Sequence, residues 1–266
     1  MAASDPAIVG IGASAGGVGA LSQFFEALPA DSGAAFVIVL HLDPDARSEM
    51  ANILASHTTM PVAQIENSVQ LERNHVYVIA PNRRLHIADG KIASLPFDEP
   101  RGRRAPIDLF FRSLAEQHGD ALAIILTGAG ADGALGVKAI KEAGGIVLVQ
   151  DPREAEYPSM PRSAIAMEVP DFILPLRELA EHLVVLLRNR EHVYSAPHED
   201  GEEEALRHIL ANVRVRTGHD FTQYKRATLL RRIARRAQIC QKETLADYYS
   251  YLRDTAEEAQ ALLATF

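Results

Sequence analysis

Between residues 7 and 151, short apolar runs alternate with segments of helical periodicity, and this alternation limits the fold more than any other feature. AIVGIGA (7–13), FVIVLH (36–41), LAIILTG (122–128) and GIVLVQD (145–151) are almost continuously apolar. Strands apolar on both faces belong to a parallel sheet covered by helices on each side. Helical patterns around 18–28, 48–57, 107–117 and 133–143 supply that cover, the last closed by Gly144-Gly145. In HVYVIAPNRRLHIADGKIASL, Asp89-Gly90 separates two alternating segments and predicts an antiparallel hairpin. The expectation is an α/β, doubly wound, mainly parallel sheet with an antiparallel hairpin, followed by a small all-helical module.

The module begins after an acidic stretch, His198-Glu199-Asp200-Gly201-Glu202-Glu203-Glu204, which contains no apolar residue and reads as a linker. The boundaries expected are a first domain over 1–192, an acidic linker over 193–204 and helices over 205–266. In TGHDFTQYKRATLLRRIARRAQI, Asp220 offers a helix start, and Phe221, Tyr224, Leu229, Leu230, Ile233 and Ile239 follow at helical spacing. A second helical pattern, ETLADYYSYLRDTAEEAQALLATF, carries Leu245, Tyr248, Leu252 and Leu262. Although the whole chain carries a net charge of -8, the stretch 214–236 holds eight cationic side chains against Asp220 alone, a net of +7. Arg231 and Arg235, and Arg232 and Arg236, are each four apart and form two basic rows suited to an acidic partner.

Several classes of function are set aside by composition. At 266 residues and 47% hydrophobic, the chain can build a full core. Its start, MAASDPAIVG, lacks a basic region followed by a long apolar stretch, and no uncharged run reaches the roughly 18–20 residues of a membrane span. A single cysteine, Cys240, forms no internal disulfide and suits a reducing compartment, so a cytoplasmic protein without membrane insertion is expected. With no C-x-x-C pair, no H-E-x-x-H and ten scattered histidines, no metal site is expected.

IVGIGASAGG (8–17) fits two incompatible turns. As Gly10-Ile11-Gly12-Ala13-Ser14-Ala15 it matches a dinucleotide-binding turn; as Gly12-Ala13-Ser14-Ala15-Gly16 it matches the turn that presents a nucleophilic serine. The first reading needs an acidic residue at the end of the second strand, where His41 stands instead. In an open parallel sheet, ligands gather beyond the carboxyl ends of the strands. Those ends carry Ser14, His41 and, after LAIILTG, Asp132. A hydroxyl nucleophile, an imidazole to carry its proton and a carboxylate to orient the imidazole are what acyl transfer requires.

IGASAGG, VLHLDPD, MPV, HVYVIAPN, PIDLFFRSLA, ILTGAGADGALGVKAIKEAGG, VQDP and MPRSAIA together resemble the catalytic domain of the bacterial chemotaxis protein-glutamate methylesterases, called CheB, over about residues 6–190. The resemblance implies that Ser14 is the nucleophile, His41 the general base and Asp132 the orienting acid, with the backbone N–H groups of Ala15 and Ala129 as oxyanion donors. Many relatives have methionine at the position of Ala129. It also implies hydrolysis of glutamate γ-methyl esters on the cytoplasmic helices of methyl-accepting receptors, deamidation of receptor glutamines, and no cofactor. The catalytic part begins within about ten residues of Met1, so no fused receiver domain is expected.

DFTQYKRATLLRRIARRAQI with the Tyr-rich helix after it is similar to the N-terminal helical domain of the receptor methyltransferases, called CheR. That likeness implies a methylesterase-methyltransferase fusion in which Arg231, Arg232, Arg235 and Arg236 contact the receptor. Because the chain stops before a nucleotide-binding domain, S-adenosylmethionine is expected only for the missing methyltransferase part, and no methyltransferase activity from this chain. Two other readings of the basic helix are an ordinary solvated surface and a nucleic-acid contact, of which the receptor contact is preferred, with no nucleic-acid partner expected. The alternative for the whole chain is a non-catalytic scaffold that docks on signalling receptors.

Overall fold

A computed structural model of the chain describes residues 6–100, 102–195, 200–221 and 223–266. They group into two compact units that divide between Val184 and Val185.

The first unit is built on β1 (Ala7–Ala13), α1 (Gly17–Glu26), β2 (Ala34–Leu40), α2 (Met50–Ala55), β3 (Val62–Ile65), β4 (Val69–Gln70), β5 (His75–Ile79), β6 (Arg84–Ala88) and β7 (Lys91–Leu95). The chain continues through α3 (Pro106–Gln117), β8 (Leu122–Ile125), α4 (Ala134–Ala143), β9 (Ile146–Gln150), α5 (Ser159–Ile165), β10 (Phe172–Leu174) and α6 (Leu176–Ser195). Seven strands form one parallel sheet in the order β10-β9-β8-β1-β2-β5-β3. The chain passes from β1 to β2, out to β3 at the edge and back to β5 between them, then resumes on the other side of β1 with β8. The crevice at the carboxyl end of β1 is therefore the topological switch point.

The four apolar runs of the sequence are β1, β2, β8 and β9, and Val9, Val37, Ile124 and Val149 among them are fully buried. The turn residues behave as their chemistry requires. Asp89 (φ 51°) and Gly90 (φ 70°) both take positive φ, giving the turn whose twist matches a two-residue hairpin between β6 and β7, and β4 joins β7 to complete a three-stranded antiparallel sheet. Gly144 closes α4 at φ 103°. The other glycine pair, Gly10 and Gly12, serves packing. A Cβ on Gly12 would lie 2.6 Å from Ile107 Cγ2, and one on Gly10 2.8 Å from Phe111 Cε1, so both are bare where α3 presses on β1.

Several elements carry no clear sequence signal. The edge strands β3 and β10 have four and three residues, and α5 is a seven-residue helix interrupted in its pattern by Pro161. Elements this short hold their shape through tertiary contacts, not local periodicity.

The second unit contains the end of α6 from Val185, then α7 (Asp200–Thr217), α8 (Arg226–Ile239), α9 (Leu245–Asp254) and α10 (Ala256–Leu263), the last four packed around Ile209, Val213, Ile233, Tyr248, Leu252 and Leu262. Three expectations are corrected here. Asp220 does not start a helix: Gly218, at φ 73°, ends α7, Asp220 lies 3.8 Å from Arg214 in the following loop, and α8 begins at Arg226. The Tyr-rich pattern is two helices, because Thr255 is extended between α9 and α10. Of the stretch read as linker, 193–195 belong to α6 and 200–204 to α7, while 196–199 lie outside the described residues.

Candidate active site

Ser14 follows β1 directly. Its N–H donates to the Thr127 carbonyl at 3.0 Å, its own carbonyl accepts from Gly17 N–H at 2.8 Å, and Gly16 (φ 72°) turns the chain into α1. A side chain at Gly16 would be strained by that φ and would meet Glu156 and Thr127. His41 follows β2, and Asp132 lies between β8 and α4. Since β8, β1 and β2 are neighbours in the sheet, the three side chains emerge at one edge.

They meet in a chain of hydrogen bonds. Ser14 Oγ lies 3.3 Å from His41 Nδ1, and His41 Nε2 lies 2.7 Å from Asp132 Oδ2. The ring nitrogens are used in the opposite order from the serine-protease arrangement, where the nucleophile meets Nε2 and the acid Nδ1. The chemistry is unaffected by that exchange. A carboxylate accepts from whichever nitrogen faces it, so the proton sits on Nε2 and the Nδ1 lone pair faces the hydroxyl. Access is graded along the chain: the His41 side chain is 36% exposed and that of Asp132 7%.

Asp132 is fixed from the other side by the start of α3. Ile107 N–H donates to Oδ2 at 3.0 Å and Asp108 N–H to Oδ1 at 2.9 Å. Pro106 begins that helix, so the next two amides, which have no acceptor within the helix, are free to bind the carboxylate. The dipole of α3 adds to the stabilisation of its negative charge. Asp108 is itself buried and accepts from Gly136 N–H at 2.6 Å, tying α3 to α4. Burial pushes the Asp108 carboxyl above the ordinary carboxylate range, against the pull of that N–H, and the nearby Asp132 charge pushes the same way.

Ala15 follows Ser14 in the turn, and Ala129 follows Gly128, where an added Cβ would lie 2.9 Å from Ser14 Cβ and overlap Met160. Among the described residues, neither the Ala15 nor the Ala129 N–H has a hydrogen-bond acceptor. The residues that shape this corner escaped the sequence reading. Thr127 Oγ1 accepts from Tyr157 N–H at 2.8 Å and donates to the Ala15 carbonyl at 3.2 Å, while Thr127 N–H is held by the buried Gln150 side chain at 2.8 Å. Only the proximity of Thr127 to the G-A-G-A-D-G run pointed to it, whereas Pro106 ahead of an apolar helical pattern was a legible marker of the α3 start.

The four arginines of the two basic rows on α8 do not form one open surface. Arg235 is 4% exposed, and the Arg236 guanidinium grips Glu258 of α10 at 2.9 and 2.7 Å. Tyr248 OH donates to the same carboxylate at 2.6 Å. The expectation that Arg235 and Arg236 face a partner is therefore corrected: Arg236 answers a carboxylate outside the segment, and Arg235 is buried within the module. Arg231 and Arg232 are half-buried, each with a buried Nε that has no acceptor among the described residues. The Arg232 guanidinium lies 5.7 Å from the Phe266 ring centre, and burial beside Arg231 and Arg235 pulls its pKa down.

Residues 9–183 match the family model described as CheB methylesterase, and residues 204–266 the one described as CheR methyltransferase, all-alpha domain. A Leptospira interrogans protein provisionally named protein-glutamate methylesterase/protein-glutamine glutaminase is 38% identical over 181 residues, 67% of this chain and 94% of its own. A Burkholderia orbicola protein named protein-glutamate methylesterase/protein-glutamine glutaminase 3 is 39% identical over 184 residues, 68% of this chain and 54% of its own. The catalytic domain of the Thermotoga maritima CheB methylesterase superposes with a TM-score of 0.64 at 28% identity, over 68% of this chain and 98% of that one. The chain thus belongs to the CheB methylesterase family of carboxylic ester hydrolases, and carries a CheR-type all-α domain behind the esterase fold.

Proposed function

We propose that this chain hydrolyses γ-methyl esters of glutamate on the cytoplasmic helices of methyl-accepting receptors, with Ser14, His41 and Asp132 as its catalytic residues. The hydrogen-bond chain from Ser14 through His41 to Asp132 carries the reading. His41 Nδ1 takes the Ser14 proton as Oγ attacks the ester carbonyl, and Asp132 stabilises the imidazolium through Nε2. The Ala15 and Ala129 amides receive the developing oxyanion. As the tetrahedral intermediate collapses, His41 returns the proton to the methoxide, methanol leaves, and Ser14 holds the glutamyl group as an acyl ester. Water then attacks that ester, giving its proton to Nδ1; Ser14 recovers a proton from the imidazolium, and a glutamate side chain is released. A receptor glutamine takes the same route with ammonia as leaving group, in keeping with the second activity in the relatives' names.

The chemistry needs no cofactor in the esterase part; S-adenosylmethionine belongs to the methyltransferase part that would follow the helices. We assign 1–192 to the esterase and 205–266 to the helical module of a cytoplasmic fusion. Arg231 and Arg232 are the arginines we retain as receptor contacts. Among the described residues, no helix is long and apolar enough to cross a membrane. The alternative of a non-catalytic scaffold is tested by a serine-directed organophosphonate. The expected result is one label per chain, lost in Ser14→Ala; a fully folded protein that takes no label would leave the scaffold as the better reading.

A further inference from the structure

A cavity of about 250 Å³ opens beside His41, between the carboxyl ends of β2 and β5, on the side of the histidine away from β1. Small-molecule sites typically enclose roughly 300–1,000 Å³, so this one suits a single side chain of a larger substrate. Its walls are apolar where Leu42 and Phe97 line it, and cationic where Arg83 and Arg104 do.

The state of the two arginines gives the cavity its character. Arg104 lies over the Phe97 ring, 4.6 Å from its centre, and donates to Asn82 Oδ1 at 2.6 Å and to the Glu99 carbonyl at 3.1 Å. Both acceptors are neutral. The guanidinium is held in a fixed pose with its charge unanswered by a carboxylate among the described residues. Arg83 is exposed at the rim and likewise has no carboxylate partner among the described residues, whereas the neighbouring Arg84 is paired with Asp98 at 2.9 Å. A stacked, oriented guanidinium loses little freedom on binding a carboxylate and presents two donors to it. An aliphatic stem ending in a carboxylate satisfies the apolar wall and the cations together.

We propose that this cavity is a specificity subsite for an acidic side chain of the protein substrate, recognised by Arg83 and Arg104. The inference rests on the esterase reading of Ser14 and deepens it. Adjacent strands lie about 4.8 Å apart, so the cavity sits one to two strand spacings from the nucleophile. At about 5.4 Å per helical turn, the recognised glutamate or aspartate lies one to two turns from the methyl ester along a helical substrate. The enzyme then favours esters set in an acidic stretch over isolated ones.

The test uses the full chain and synthetic peptides carrying one γ-methyl glutamate, with Glu, Gln or Lys placed one and two turns away, and reads methanol release. For the wild type, kcat/KM should favour the Glu peptide over the Gln peptide by roughly tenfold, mostly through KM, as expected for a charge-assisted contact near the surface. In Arg83→Gln and in Arg104→Gln that ratio should fall towards one, and Arg83→Glu should shift preference towards the Lys peptide. Should Arg104→Gln fail to fold, the two Arg83 variants decide. Equal turnover of Glu and Gln peptides by the wild type, or a preference that survives in both glutamine variants, overturns the subsite while leaving the esterase standing. A wild type that releases methanol from none of the peptides overturns the esterase reading itself.

Discussion

Asp132 in the α/β unit and Glu258 in the helical unit are both nearly buried carboxylates held by short hydrogen bonds, with side-chain exposures of 7% and 5%. Their partners set them apart. Asp132 takes two backbone amides of α3 and one imidazole, and that imidazole reaches solvent with its second nitrogen turned to Ser14. Glu258 is enclosed by Arg236 and Tyr248, and burial pushes the Tyr248 phenol, and the Cys240 thiol beside it to about 11, well above their ordinary ranges. One carboxylate is therefore linked outward, through His41, to the Ser14 hydroxyl, and the other locks three helices together. The difference lies in the partners: the imidazole beside Asp132 reaches solvent, while the groups that hold Glu258 are kept inside the module.

The comparison predicts a large kinetic effect and a small structural one at the first site. Ser14→Ala and His41→Ala should each cost several orders of magnitude in kcat, and the double variant little more than either, because the groups act as one unit. Ester turnover by all three variants checks this, and additive losses would mean that the two residues do not work together. At the second site the order reverses. Glu258→Ala leaves the Arg236 charge inside the module without its partner, a loss of about 3–5 kcal/mol for a broken buried pair. Hydrogen exchange at the α8–α10 amides should accelerate accordingly while Ser14 still takes the organophosphonate. Unchanged protection would place Glu258 among the dispensable ion pairs.

The smallest effect belongs to Asp108, the carboxylate that lies between the two cases. Its folded pKa is raised, so the wild type binds more protons folded than unfolded in the window above the ordinary carboxylate value of 3.8. Its contribution is fully present below that value and is lost as pH rises through the folded pKa. Asp108→Asn keeps an oxygen to accept from Gly136 N–H and removes the charge. Denaturant midpoints at pH 4 and pH 7 should therefore move in favour of the variant at the higher pH; a difference independent of pH would show that the Asp108 charge is not desolvated.

Much of the working edge was legible beforehand because strand ends and turns are governed locally. A doubly buried strand is apolar throughout, so β1, β2, β8 and β9 show themselves, and whatever follows them lies at the ligand-binding edge of the sheet. Ser14, His41 and Asp132 could be found on that ground, and the pairing of Asp89 with Gly90 marked its hairpin. The Gly10 and Gly12 spacing was legible too, but its meaning was not: only the approach of α3 shows that these glycines make room for Ile107 and Phe111.

What the local pattern determined, then, is which residues end the buried strands and where α1 to α4 lie, since periodicity and turn chemistry act over a few neighbours. Tertiary structure alone decided which polar groups answer one another. The α3 amides reach Asp132 from 24 and 25 residues away, Gln150 reaches Thr127 from 23, and Glu258 reaches Arg236 from 22. The basic rows of α8 counted as unopposed for this reason: charge summed along a segment omits the carboxylate that packing brings from the next helix. Burial and hydrogen-bond partnership are properties of the assembled core, and no window of sequence contains them.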